Sequence, residues 1–172
     1  MPAGTQSIPL LKFVCFVCTV NSQRFEQAVS SYSAAIDSLR VVENSDDTRE
    51  IALLHSNRSL AAYKMACSGD YVDCRSMLDA SLADARRAAS LDPTLVKAHF
   101  RRAQLCVALM AAAGEENQEE GQQKPADAEI EARRQEAVAS LYDAITISPR
   151  AEKEVGSLLR ELDPSLDKAL QS

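Results

Sequence analysis

Apolar residues recur at intervals of three and four from Asn21 onward. Phe25, Ala28, Val29, Tyr32, Ala35, Ile36 and Leu39 fall on one stripe, the signature of an amphipathic helix. Asn44 to Thr48 (NSDDT) is a polar turn with its own N-cap candidates, and Arg49 to Met65 resumes the helical pattern through Ile51, Leu54, Leu60, Ala61 and Tyr63. Ser68-Gly69-Asp70 ends that element. Tyr71 to Leu91 predicts a further helix, with Ser81, Ala85 and Ala88 spaced four and three apart, so a neighbouring helix can approach closely along this small-residue stripe. Asp92-Pro93-Thr94 stops it, because proline lacks an amide hydrogen and disfavours the helical region for Asp92; Thr94 is the expected N-cap of the helix from Thr94 to Ala112. There Ala103 keeps one face small while Lys97 and Arg101, four apart, place two cations on another.

Ala113 to about Ala128 has no apolar periodicity and is rich in acids and Gln, so a mobile polar insertion is expected. Glu129 to Ser148 is helical again, with Ala137, Leu141, Ala144 and Ile145 on one face, and Ala151 to Leu162 gives a last amphipathic helix before Asp163-Pro164. Ahead of all these stands Ile8 to Val20, strongly apolar but thirteen residues long and interrupted by Lys12. That is too short to cross a bilayer, which takes ~20 apolar residues. No basic residue precedes it as in a signal peptide. Either a buried first helix or a strand-like tail fits residues 1–20, and the segment is expected to pack on Phe25 to Leu39, since so much apolar surface left in water invites aggregation.

Composition narrows the fold class. With 46% apolar residues, 5 Gly, 6 Pro and 5% aromatics, the chain favours helix nearly everywhere and offers little for a sheet. The expectation is an all-α protein with one core or a short stack of repeats. A net charge of -6 argues against a general nucleic-acid binder, which needs a basic surface. Cys15, Cys18, Cys67, Cys74 and Cys106 are odd in number and lie among apolar neighbours, as reduced core thiols of a cytoplasmic protein do. Cys15 and Cys18 form a CxxC, but no second pair completes a zinc site. There is no Gly-rich phosphate loop, no metal-ligand run and no nucleophile with a partner histidine, so neither catalysis nor a cofactor is expected; His55 and His99 are read as groove or surface residues.

The helices also repeat. Asp92-Pro93 and Ser148-Pro149 each follow a helix with alanine five before the proline (Ala88, Ala144) and a small residue twelve before it (Ser81, Ala137). Ala28, Tyr32 and Ala35 show the same spacing ahead of Arg40, giving three helical hairpins and a capping helix, about seven helices in all. From Phe25 to Leu162 the chain resembles the tetratricopeptide repeat family, whose ~34-residue period is exceeded between the two prolines by about the length of the polar insertion. Residues 21–172 would form that domain, with the insertion near 113–128 and the cap at 151–162.

Two segments, LLHSNRSLAAY (Leu53 to Tyr63) and VKAHFRRAQ (Val96 to Gln104), resemble more narrowly the three-repeat domains of co-chaperones. The resemblance implies a right-handed superhelical stack whose concave groove holds the acidic C-terminal tails of the ninety- and seventy-kilodalton heat-shock chaperones. Asn57, Lys97 and Arg101 would then be carboxylate-clamp residues. Lys and Arg give short, strong charge-assisted bonds to carboxylates, and Asn adds an amide donor. The clamp would be partial, because the two remaining positions fall on Phe13 and Val17, while Lys12 and Asn21 are too far apart to share that face. The middle repeat is also longer than usual around Met65 to Asp79. The alternative on the same fold is a scaffold that binds another protein segment without recognising a carboxylate.

Overall fold

The computed structural model describes residues 9–41, 48–68, 73–116 and 127–163 of the 172-residue chain. The described residues are helical, without strands. In order they form α1 (Pro9–Val41), α2 (Thr48–Ala66), α3 (Cys74–Leu91), α4 (Val96–Glu116), α5 (Asp127–Ile147), a 3-10 turn (Pro149–Ala151) and α6 (Glu152–Leu162). Each helix packs on the next in sequence, and α2 also touches α4.

Small residues set the spacing. Ala52, Ala85, Ala88, Ala98, Ala103, Ala137 and Ala144 are all wholly buried, and Ser81 is nearly so; the Ser81 hydroxyl donates to the Met77 carbonyl at 2.8 Å, which removes the cost of its burial. Between these close approaches lie Leu78, Leu82, Leu105, Leu109, Leu141, Val155 and Leu159, one core running from α3 to α6. Burying each such leucine contributes roughly 1.5–3 kcal/mol.

The helix stops follow the prolines. Asp92 (φ −132°, ψ 91°) ends α3 in extended backbone and Ser148 (φ −142°, ψ 104°) does so after α5, because the following proline ring excludes helical geometry there. The two stops repeat one bond: Asp92 N–H donates to Ala88 O and Ser148 N–H to Ala144 O, both at 3.0 Å. Asp163, which precedes Pro164, closes α6 with a 2.8 Å bond to Leu159 O.

Three expectations are corrected. Ile8 to Val20 was to pack on Phe25 to Leu39, but Pro9–Val41 is one continuous helix, and a single rod cannot fold back on itself; the sequence Asn21-Ser22-Gln23-Arg24 holds neither Gly nor Pro to break it. The described residues accordingly form six α-helices and a 3-10 turn, where seven helices were expected, because the first hairpin is replaced by α1. Thr94 does not cap α4. Its N–H and its hydroxyl both donate to Asp92 Oδ1, at 2.9 and 2.6 Å, and the helix begins at Val96.

Boundaries also move. The element expected from Tyr71 starts at Cys74, with Asp73 as N-cap accepting the Ser76 N–H at 3.1 Å, and α4 runs beyond Ala112 to Glu116. The turn at Asn44 to Asp47, Gly69-Asp70, and the rest of the polar insertion lie outside the described residues.

Candidate functional site

The three expected site residues sit on two helices that touch. Asn57 lies on α2 and is exposed; Lys97 and Arg101 lie one turn apart on α4, the first exposed and the second half-buried. Asn57 lines a depression of about 170 Å³ with Phe25, Tyr32, Leu60 and Lys64, between α1 and α2. The Lys64 ammonium stands 5.6 Å from the centre of the Phe25 ring, a cation–π distance. The side chains of Phe13 and Val17, at the two remaining clamp positions, lie outside the described residues.

Arg101 is the unusual member. Its Nη1 donates to Gln104 Oε1 at 2.8 Å, while its buried Nε finds no hydrogen-bond partner. Among the described residues no carboxylate pairs with it. Loss of water lowers its pKa below the ordinary guanidinium value, and Tyr63 of α2 opposes that shift. Tyr63 was read from the sequence as a helix-stripe residue; it is half-buried and forms part of the surroundings of Arg101.

The next residue is also half-buried but has different partners. Arg102 Nε donates to Ser140 Oγ at 2.5 Å and lies 3.5 Å from Glu136 Oε1, with Asp143 at 4.0 Å. Glu136 in turn takes Arg86 in a two-point contact, 2.7 and 2.5 Å. The Arg86 bond, aided by the charges of Arg86 and Arg102, holds the Glu136 carboxyl below its usual range against the opposing effect of burial. This cluster binds α3, α4 and α5 together, so Arg102 is a structural cation.

A second structural cluster joins α1, α2 and α3. Arg58 grips Asp84 through Nε–Oδ2 and Nη2–Oδ1, each 2.7 Å, and donates from Nη1 to Ser33 Oγ at 3.0 Å. His55 Nδ1 lies 2.8 Å from Asp84 Oδ1. Burial works to raise the Asp84 carboxyl, but the bonds and charges of Arg58 and His55 outweigh it and hold the group low.

His55 and His99 are thus not surface residues, although His99 lines a small depression with Pro93, Asp143, Thr146 and Ile147. Both are buried, 4% and 6% exposed. His99 Nε2 lies 2.9 Å from Pro93 O, so Nε2 carries the proton and donates; Asp143 Oδ2 stands 3.4 Å from Nδ1, within ion-pair distance but out of hydrogen-bond alignment.

A concavity of about 580 Å³ lies beside α6 among Arg150, Glu152, Lys153 and Arg160. All four are exposed, and no buried polar group points to a ligand there. No group of three or more metal-ligating side chains gathers among the described residues, and none of the described helices is long and apolar enough to cross a membrane. Three cysteines differ in setting: Cys67 is exposed, Cys74 half-buried and Cys106 buried, so Cys67 departs from the expectation of core thiols.

Searches against protein-family models, curated proteins and solved structures gave no match to this chain.

Proposed function

We propose that the protein is an interaction adaptor built from tetratricopeptide-like helical hairpins in a right-handed superhelical stack, and that it receives the carboxylate of an acidic C-terminal peptide on Arg101. Lys97 supplies a second charge from the same helix and Asn57 an amide from α2. The peptide class is that of the tails of the ninety- and seventy-kilodalton heat-shock chaperones, and the working compartment is the cytoplasm.

One observation carries this reading. Arg101 is a half-buried guanidinium that holds no carboxylate among the described residues, with an unpartnered Nε, beside an Arg102 that is fully engaged. A desolvated cation without a counter-charge costs stability unless an anion is supplied. A carboxylate fits the planar fork and gains from partial shelter from water. The exposed Lys97 adds attraction that weakens with salt.

The depression beside Asn57 favours a second reading, a scaffold that takes an apolar side chain between α1 and α2. The two readings part on the terminal carboxylate. Calorimetric titration with a Glu-Glu-Val-Asp peptide bearing a free C-terminus, and with its amidated form, decides between them. The adaptor reading expects the free acid to bind more tightly by about 1.5–3 kcal/mol, the worth of a hydrogen bond to a charged group. Equal binding of both forms leaves the scaffold.

A further inference from the structure

Arg101 is oriented by a neutral acceptor. Gln104 Oε1, on the same face one turn further along α4, receives Nη1 at 2.8 Å. Three other arginines are held by carboxylates at short range, Arg58 by Asp84, Arg86 by Glu136 and Arg133 by Glu129, and Arg102, though bonded to the Ser140 hydroxyl, has Glu136 at 3.5 Å. An amide oxygen fixes a guanidinium as those acids do, but cancels none of its charge.

We infer that Gln104 is a positioning residue of the carboxylate site, holding the Arg101 guanidinium in place while leaving its positive charge to the incoming anion. The inference rests on the adaptor reading and adds the reason why the site stays open to a ligand. A carboxylate at the same reach would occupy the fork from within, and a peptide carboxylate would then meet both a filled donor set and a like charge. The protein itself would gain, since a desolvated guanidinium would acquire the counter-charge it lacks. Stability and binding therefore respond to the charge at this position with opposite sign. A side chain that only fills space would move them together or not at all.

The test uses the full chain with Gln104→Glu and Gln104→Met, titrated with the free-acid Glu-Glu-Val-Asp peptide and its amide, alongside thermal melting. Gln104→Glu keeps the shape and is expected to weaken the free acid by about tenfold or more, to leave the amide unchanged, and to melt at or above the wild-type temperature. Gln104→Met removes the acceptor without adding charge, and is expected to lower the ratio of acid to amide affinity by a smaller factor. If wild type distinguishes acid from amide but Gln104→Glu binds the acid within about twofold of it, the role of Gln104 is refuted while the adaptor reading stands. If Gln104→Glu loses binding and melting temperature together, Gln104 is structural and the inference again fails. A wild type that treats acid and amide alike overturns the adaptor reading, and the inference with it.

Discussion

Arg58 holds Asp84 through two bonds of 2.7 Å, Nε to Oδ2 and Nη2 to Oδ1, across 26 positions of chain. The pair joins α2 to α3, and the Arg58 bond to Ser33 extends the link to α1. Both partners are largely sheltered, with side chains 24% and 14% exposed, so removing one strands the other in a poorly solvated place. Asp84→Asn is expected to cost on the order of 2 kcal/mol, somewhat less than the loss for a fully buried pair. Urea unfolding measures it, and a change within about 0.5 kcal/mol, as at an ordinary surface position, would mean that the network carries little of the stability.

Acid should unfold the protein partly through the same groups. Asp84 and Glu136 are both held below their usual carboxyl range in the folded state. Their contribution is therefore fully present above the unfolded values of ~3.9 and ~4.3, and is lost as pH falls through the lower folded values. The fall in stability below about pH 4 should be shallower in Asp84→Asn than in wild type. Matching slopes in urea melts across that range would remove Asp84 as a source.

Much of this fold was legible in the sequence. Ser81, Ala85 and Ala88 announced a close helix contact and all three are buried; Pro93 and Pro149 marked stops that the backbone makes with the same bond. Local rules suffice there, because a missing N–H or a small side chain acts within one or two turns. The course of α1 was missed because an apolar run followed by an amphipathic stripe reads as two elements, although nothing between them interrupts a helix. The three candidate site residues could be named, and two of them share a helix face; the bond from Arg101 to Gln104 was not foreseen. The partners of His55 were hidden for another reason, since Asp84 lies 29 positions away and only the packing of α2 on α3 unites them. One signal was present: Asp84 directly precedes Ala85 on the small-residue stripe, so it lies at the edge of a helix contact, where a charge needs a partner.

The cysteines should separate by reactivity. Burial, aided by the charge of Glu136, pushes the Cys106 thiol up to about 12, so it has almost no thiolate at neutral pH. Cys67 is exposed. An aromatic disulfide reagent at neutral pH should modify Cys67 well before Cys106, which should respond only after unfolding. Because the folded thiol holds its proton above the unfolded value of ~8.5, its contribution is complete below that pH and is lost as pH rises toward about 12. Peptide mapping that finds Cys106 labelled as fast as Cys67 in the native protein would contradict its burial.

On the proposed function, Arg101 is kept for an anion at some cost to the fold. Arg101→Met tests it, since the replacement keeps much of the apolar stem and removes the charge. The decisive measurement is calorimetric titration of this variant with the free-acid Glu-Glu-Val-Asp peptide, with thermal melting as the control on folding. The melting temperature is expected at or above that of wild type, because an unpaired desolvated charge has gone, together with a loss of affinity of about tenfold or more. Unchanged affinity in a variant that melts as wild type does would contradict it.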